Sequence, residues 1–243
     1  MKTFNHTIFS SPTPRWKRGL DVGLILLALP LLIPVALATA AIIRLVSKGP
    51  VLFKQERVGR GGKKFLCFKF RTMVIGSNSV SHEGHLRRLI ESNAPMTKMD
   101  TGGDKRIIPL GVFLRATGLD ELPQLINVFR GDMSIVGPRP CLPYEFQYYH
   151  QEQYERFSVV PGLTGLWQVS GKNKTTFKEM IQLDIDYSRR RSLGLDLEII
   201  FKTVPVLLAQ VKDTQDKKAE PNAIRLEKQP IEEGILPARV ANH

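Results

Sequence analysis

The hydropathy pattern begins with an uncharged apolar run from Val22 to Ile43. A helix of about 22 residues rises about 33 Å, which is long enough to cross the hydrocarbon core of a bilayer. Three interpretations compete: a cleaved signal peptide, a helix that spans the bilayer, and a re-entrant hairpin that returns to its own side. The stretch Ala36-Leu37-Ala38 looks like a cleavage site. However, the apolar run continues past it to Arg44, which argues against a signal peptide.

Two features favour the re-entrant hairpin over a spanning helix. Pro30 and Pro34 lack a backbone N–H and lie four residues apart on one helix face, so a bend at this point costs little. Both flanks are basic, and basic flanks favour the cytoplasm for both ends of the segment. These basic residues are Arg15, Lys17 and Arg18 on one side, and Arg44, Lys48, Lys54 and Arg57 on the other.

The polar and apolar positions after the membrane segment predict strands first and helices later. Val51–Val58 and Phe65–Met73 are typical of two strands joined by a glycine-containing turn. Tyr144–Phe157 predicts a polar helix. A capping box at Thr176 opens a helix to about residue 187, and an amphipathic helix is predicted over residues 195–211.

One central stretch, residues 114–140, concentrates charge between short apolar elements. Leu122, Leu125, Ile126 and Phe129 share one face of a predicted helix that Asp120 is placed to begin. Two interpretations of Asp120 and its neighbour Glu121 remain open. The pair is either a helix cap favoured by the helix dipole, or part of a phosphate-handling site with a metal ion and nearby arginines.

The charge balance predicts an anionic partner. Lys and Arg number 35 against 23 Asp and Glu, for a net charge of +12. Such a balance fits nucleic acid, anionic lipid or a phosphorylated substrate. The tyrosines of residues 144–157 lack the glycines and the aromatic strand pattern of RNA-recognition motifs, so we expect no nucleic acid partner. Cys67 and Cys141 are too few for a disulfide framework or a zinc site.

Three segments resemble the monotopic phosphoglycosyl transferases, bacterial sugar transferases that load a phosphosugar onto a polyprenyl phosphate. They occur in the order typical of that family and cover most of residues 17–210. The matching segments are GPVLFKQERVGRGGKKFLCFKFRTM (49–73), DKRIIPLGVFLRATGLDELPQLINVFRGDMSIVGPRP (104–140) and VVPGLTGLWQVSGK (159–172).

The resemblance implies an α+β fold: a compact membrane-associated domain with an N-terminal re-entrant membrane helix hairpin and surface amphipathic helices. It departs from the family at Ile33-Pro34, where many members have Ser-Pro. The expected organisation is a loose leader over 1–16, the re-entrant helix over 17–48, a catalytic domain over 49–211 and a disordered tail over 212–243.

The resemblance also implies roles for individual residues. Asp120 would be the nucleophile that takes the phosphosugar, and Glu121 would hold Mg²⁺ or handle a proton, with Asp120 as a second metal contact. The family's Asp-x-Arg motif is present as Asp104 and Arg106. The expected ligands of the substrate phosphates are Lys69, Arg71, Arg106, Arg115 and Arg139.

The reaction implied is transfer of a hexose 1-phosphate from a UDP-hexose to undecaprenyl phosphate, with release of UMP. It would occur on the cytoplasmic face of the bacterial inner membrane, at the start of exopolysaccharide, capsule or O-antigen assembly. Glucose or galactose is the preferred sugar, and a homo-oligomer is left open. Two alternatives remain: a non-catalytic, membrane-anchored binder of anionic lipid or nucleic acid, and a simple glycosyltransferase that releases UDP.

Overall fold

The computed structural model describes residues 10–76, 80–97, 104, 106–172 and 174–219. One long helix is followed by two strands, three helices, two short strands and three further helices, and short 3₁₀ turns connect several of them. The elements are α1 (Arg15–Val46), β1 (Leu52–Val58), β2 (Lys64–Phe70), α2 (Val80–Glu91), α3 (Gly111–Thr117), α4 (Gln124–Arg130), β3 (Ser134–Val136), β4 (Gly162–Thr164), α5 (Leu166–Val169), α6 (Phe177–Arg190) and α7 (Leu193–Ala219).

Helix α1 contains the apolar run and extends through both prolines. It is 32 residues long, and Pro30 and Pro34 lie inside it without an interruption of the helix. A proline removes one donor from the helical ladder, and the bonds on the other faces are enough to keep the helix continuous. Within the described residues, α1 is the one helix long and apolar enough to cross a membrane. The turn between two helices that a hairpin requires is not present here, so the hairpin stays a prediction.

Strands β1 and β2 form the antiparallel hairpin that the sequence predicts. Their register runs from Leu52 opposite Phe70 to Val58 opposite Lys64. The hairpin is attached to the rest of the domain at its far end, where the Val58 N–H donates to the carbonyl of Cys141 at 2.8 Å. Farther along β2, Asn127 of α4 accepts from the Phe68 N–H at 3.1 Å and donates to the carbonyl of Leu66 at 2.7 Å, which holds β2 next to the central stretch.

Strands β3 and β4 pair in parallel, and their two backbones approach each other closely just after β3. A Cβ at Gly137 would lie 2.6 Å from the carbonyl oxygen of Val160 and 2.7 Å from the nitrogen of Gly162. No side chain fits there, which is why a glycine is required. The Gly162 N–H donates to the carbonyl of Pro138 at 2.8 Å, which fixes the start of the segment 138–140.

The largest apolar core lies beneath α6 and the 3₁₀ turns that precede β4. Trp167 is 4% exposed and belongs to this core. Trp167 is therefore a core residue and does not face the membrane interface. Helix α6 begins with the predicted capping box, since Thr176 and Glu179 each bond the other's backbone N–H.

Three predicted elements differ from those observed. The polar helix expected over 144–157 is two 3₁₀ turns, Glu145–Tyr148 and Gln151–Phe157. The single helix expected from Asp120 is a 3₁₀ turn, Leu119–Glu121, followed by α4. Helix α7 continues to Ala219, beyond the boundary expected at 211. The leader up to residue 9 and the tail from residue 220 lie outside the described residues.

Candidate active site

Asp120 and Glu121 lie in the 3₁₀ turn between α3 and α4. Gly118 ends α3 with a φ of 74°, a left-handed conformation that lets the chain reverse into this turn. Asp120 is 8% exposed and the Glu121 side chain 38% exposed. The N-cap positions of the 3₁₀ turn and of α4 are Gly118 and Pro123, so the interpretation of Asp120 as a helix cap is wrong.

Lys69, near the end of β2, faces this pair directly. Its Nζ lies 2.7 Å from Oε1 of Glu121, and both side chains are partly exposed. The end of β2 and the acidic pair thus lie next to each other, and the role of Lys69 as a phosphate ligand remains a prediction. An ion pair at this exposure contributes little to the free energy of unfolding. The ion pair matters for the geometry of the site, because it holds a cation and a carboxylate beside Asp120.

Arg139 binds Glu145 through both of its terminal nitrogens. Nη1 lies 2.7 Å from Oε2 and Nη2 lies 2.9 Å from Oε1, and the Leu142 N–H also donates to Oε2 at 3.0 Å. Burial alone would raise the pKa of Glu145, but the Arg139 guanidinium lowers it to about 2. The fork of Arg139 is therefore directed at a buried carboxylate, and its role as a phosphate ligand remains a prediction.

A second buried pair holds the backbone of Arg139. Arg156 donates to the carbonyl of Arg139 at 2.8 Å, and it also donates to Asp184 and to the hydroxyl of Tyr149. Burial raises the pKa of Asp184 to about 6, against the lowering effect of Arg156. The prolines on either side and these two ion pairs together leave Arg139 little freedom to move.

The other predicted phosphate ligands occupy two further places. Arg71, which is 5% exposed, donates to the carbonyls of Ser47 and Lys48 at 2.8 and 2.6 Å and so holds the end of α1. Arg106 pairs with Asp104, with Nη2 to Oδ2 at 2.7 Å. Hydrogen bonds from Arg106, with a smaller effect from Arg115, lower the pKa of Asp104 to about 2.

Lys172 is a site residue that the sequence-based assignment missed. It lies half-buried in the loop between α5 and α6. Burial lowers the pKa of its ammonium, Lys69 and Arg139 lower it further, and Glu121 and Asp120 raise it. Four charged groups therefore act on the ammonium of Lys172. A signal existed in the sequence, since Lys172 ends the third family-like segment, but a single lysine in a turn carries no pattern of its own.

Comparison with known proteins assigns the chain to a family. A sequence model of the family described as bacterial sugar transferase matches residues 13–210, which is most of the chain. The chain belongs to the bacterial sugar transferase family. The membership expected from the three sequence segments is therefore confirmed, and the Asp120–Glu121 pair lies inside the matched region.

The relatives of this bacterial sugar transferase differ in length, and their names mention different sugars. The exopolysaccharide production protein ExoY of Sinorhizobium fredii is 37% identical over 191 residues, covering 79% of this chain and 84% of its own. UDP-glucose:undecaprenyl-phosphate glucose-1-phosphate transferase of Caulobacter vibrioides is 42% identical over 200 residues, covering 79% and 69%. UDP-galactose-lipid carrier transferase of Erwinia amylovora is 40% identical over 200 residues, and this chain spans only 40% of it.

The acidic pair of the transferase suits a magnesium ion whose remaining ligands come from the substrate. Among the residues that the structure describes, no group of three or more His, Cys, Asp or Glu side chains could hold a metal. Mg²⁺ in phosphate-handling sites is commonly bound by one or two carboxylates together with substrate phosphates. Asp120 and Glu121 supply two such carboxylates.

Proposed function

We propose that this transferase moves a hexose 1-phosphate from a UDP-hexose to undecaprenyl phosphate and releases UMP, at the start of exopolysaccharide, capsule or O-antigen assembly. The observation that carries the proposal is the Asp120–Glu121 pair, which lies in the 3₁₀ turn between α3 and α4 with Lys69 bonded to Glu121, in a chain of this family. The name of the Caulobacter relative, a glucose-1-phosphate transferase, supports transfer of the sugar with its phosphate.

The first half-reaction uses Asp120 as the nucleophile. An oxygen of its carboxylate attacks the phosphorus that bears the sugar, and a bond forms between that oxygen and the phosphorus. The bond from this phosphorus to the oxygen that bridges the two phosphates breaks, and its electron pair leaves with UMP. The product is an aspartyl phosphosugar, an acyl phosphate. The surrounding cations lower the barrier by stabilising charge that moves between the phosphates.

The second half-reaction returns Asp120 to its starting state. A phosphate oxygen of undecaprenyl phosphate attacks the same phosphorus, and the bond between Asp120 and that phosphorus breaks. The product is a hexose linked to undecaprenyl through a diphosphate. Splitting one transfer into two displacements lets a single nucleophile serve two very different substrates, one water-soluble and one in the membrane.

Glu121, with Asp120, would hold Mg²⁺ in this reaction. The ion would neutralise the charge of the donor diphosphate when bound. Lys69 binds one oxygen of Glu121 and so orients the carboxylate. The carboxylate pair thus combines a nucleophile with a metal ligand in consecutive residues.

The position of α1 supports membrane association with a re-entrant topology. Near its start, Asp21 accepts hydrogen bonds from the Ser134 hydroxyl and the Ile135 N–H, both at 2.9 Å. At its end, the carbonyls of Ser47 and Lys48 are bonded by Arg71. Both ends are therefore attached to one domain, whereas the middle of the helix exposes apolar residues: Leu26, Leu27, Leu31, Ile33 and Leu37. We propose that Pro30 and Pro34 mark the deepest point of the inserted helix, with the domain on the cytoplasmic face of the inner membrane.

The reaction is tested with membranes that contain the full chain, undecaprenyl phosphate and a panel of UDP-sugars. Release of UMP, together with lipid-linked sugar, is the expected result. Release of UDP would instead mean transfer of the sugar alone. Absence of turnover with every donor would favour a binder of anionic lipid. Membranes that carry the Asp120→Asn variant give the background of each nucleotide.

A further inference from the structure

Prolines flank Arg139 on both sides, and a proline has no N–H with which to fasten the backbone. The segment is held through its carbonyl groups instead. The start of β4 bonds the carbonyl of Pro138 at 2.8 Å, and Nη2 of Arg156 bonds that of Arg139 at 2.8 Å. The carbonyl of Pro140 accepts from Nη1 of Arg57 at 3.0 Å. Three separate parts of the fold therefore hold three consecutive carbonyls.

Arg57, on β1, is the least compensated of these anchors. Its Nη2 donates to Oε1 of Gln55 at 2.7 Å, so both terminal nitrogens bond uncharged oxygens. Nε is buried and has no hydrogen-bond acceptor among the described residues. Within the same residues Arg57 forms no ion pair, whereas Arg156 has Asp184. A half-buried cation without an anion costs free energy, and sequences accept such a cost mainly at functional sites.

Arg57 also acts on Glu145, the carboxylate that holds the fork of Arg139. Burial raises the pKa of Glu145, Arg139 lowers it most strongly, and Arg57 lowers it further. Burial and the nearby Arg139 in turn lower the pKa of Arg57, whereas Glu145 raises it. Two guanidinium groups therefore act on one carboxylate, and Arg57 helps to keep Glu145 ionised.

Arg139 is the residue through which this support reaches the candidate active site. Its side chain is 20% exposed, whereas that of Glu145 is fully buried. Two of the five guanidinium N–H groups donate to Glu145, which leaves three for other acceptors. Arg139 and the Asp120–Glu121 pair both act on the ammonium of Lys172. The exposed part of Arg139 therefore belongs to the charged surroundings of the acidic pair.

We propose that Arg57 is a positioning residue of the transferase: it holds the Pro140 carbonyl and supports Glu145, and so determines where the Arg139 guanidinium meets the donor substrate. This inference rests on the proposed function and on the expected binding of substrate phosphate by Arg139. A guanidinium binds oxygens through a fork of fixed direction, so a shift of its backbone misaligns its donors together. Misplacement by about 1 Å can cost about a hundredfold in rate.

The test is a double-mutant cycle of Arg57→Gln with Arg139→Lys. Arg57→Gln removes the charge and the fork of Arg57, and Arg139→Lys removes the fork of Arg139 but keeps a cation. Arg57→Lys is the conservative variant, since an ammonium can still bond one carbonyl. Arg60→Gln is the matched control, because Arg60 follows the same strand but bonds the Ser11 carbonyl and the Thr13 hydroxyl.

Each full-length variant is purified in nanodiscs, and its unfolding temperature is recorded. UMP release is followed with UDP-glucose and with UDP-galactose in the absence of undecaprenyl phosphate. Binding of UDP is measured by calorimetry in the presence of Mg²⁺. If Arg57→Gln does not fold, Arg57→Met takes its place in the cycle, because methionine keeps much of the length of the side chain without its charge.

We expect Arg57→Gln to slow UMP release by about tenfold, with an unfolding temperature near that of the wild type. Arg57→Lys should recover most of the rate, and Arg60→Gln should match the wild type. In the Arg139→Lys chain, Arg57→Gln should slow release by less than about twofold, because no fork is left to position.

A loss of the same size in both backgrounds would show that Arg57 acts independently of Arg139 and would overturn the inference. So would a wild-type rate for Arg57→Gln, or an equal loss in Arg60→Gln. A wild-type chain that binds UDP but releases no UMP would overturn the proposed function. The UDP affinities of the same four chains would then still decide the positioning role of Arg57.

Discussion

Lys17 and Asp196 form a buried ion pair in which Nζ lies 2.5 Å from Oδ2. Tyr187 donates its hydroxyl to the other oxygen of Asp196 at 2.8 Å, so both carboxylate oxygens are engaged. Lys17 is in the first turn of α1 and Asp196 in the first turn of α7. The pair therefore joins the apolar N-terminal helix to the last helix of the domain.

Replacing Lys17 with Ala should destabilise this connection strongly. The change leaves Asp196 buried without its cation, which costs about 3–5 kcal/mol in comparable pairs. We expect a lower unfolding temperature in detergent and less protein in the membrane fraction. Arg15→Ala is the control, because Arg15 lies in the same turn but is exposed. If Lys17→Ala unfolds at the wild-type temperature, the pair does not hold α1 to α7.

The pair of Arg139 with Glu145 should make stability depend on acid pH. Folding lowers the pKa of Glu145 from 4.5 to about 2. Between these values the unfolded chain binds more protons, so this contribution is complete above about pH 4.5 and is lost as the pH falls towards 2. The shift corresponds to about 3 kcal/mol.

The measurement is denaturant unfolding of the wild type and of Glu145→Gln as a function of pH. The difference in unfolding free energy should be large at pH 7 and should shrink as the pH falls through this window. Subtracting the variant removes the contributions of other acids, such as Asp184. A difference that does not change with pH would mean that Glu145 keeps an ordinary pKa in the folded chain.

Local sequence signals predicted the parts of the fold that local chemistry determines. The hairpin of β1 and β2 follows from alternation around a glycine turn, and the start of α6 follows from its capping box. The prediction of a single helix from Asp120 was wrong because it rested on the spacing of the apolar residues and left out the turn-forming residues. Gly118 lets the chain reverse and Pro123 is the N-cap of α4, so the segment between them forms a separate 3₁₀ turn that packs against β2.

The charge partners of the site could not be predicted in the same way. The sequence places Asp120 next to Glu121, and the two remain adjacent in the turn. Lys172 is about fifty positions away, and its loop is held by the hydrogen bond that Trp167 of the core donates to Thr175. Glu145 is close to Arg139 in sequence, but only burial of the turn that contains it makes it the partner of the guanidinium.

Cysteine labelling tests the topology of α1. Ser10 and Pro50 are exposed positions outside the helix, and the native Cys67 and Cys141 are buried, so they should not react. If the helix is re-entrant, cysteines at both positions should be labelled only from the cytoplasmic side. Labelling of residue 10 from the periplasm would mean a spanning helix. Replacement of Pro30 and Pro34 by Ala should favour the spanning topology and move residue 10 across the membrane.

Chelation of divalent cations should stop turnover, and added Mg²⁺ should restore it. Glu121→Gln should raise the Mg²⁺ concentration required and lower the maximal rate, because an amide oxygen is a weaker ligand for a hard cation than a carboxylate. Glu56→Gln is the matched control, since Glu56 also pairs with a lysine, Lys64, but on the exposed hairpin. Full activity in EDTA, with wild-type rates for Glu121→Gln, would exclude the metal role.

Asp120→Asn separates a nucleophile from a merely structural residue. Asn has nearly the same shape and keeps one acceptor oxygen, so the 3₁₀ turn should still form. The change removes the attacking carboxylate, and turnover should be abolished while the unfolding temperature and membrane insertion remain close to the wild type. Asp213→Asn, at an exposed position of α7, is the control.

The covalent route predicts a signature at Asp120 that activity alone does not give. Wild-type protein mixed with UDP-sugar alone should release UMP in a burst and retain the labelled sugar phosphate. The adduct should be removed by hydroxylamine, as an acyl phosphate is, and should pass to undecaprenyl phosphate when the lipid is added. Asp120→Asn should give neither the burst nor the adduct, whereas Glu121→Gln should form the same adduct slowly. If Asp120→Asn turns over at nearly the wild-type rate, Asp120 is not the nucleophile.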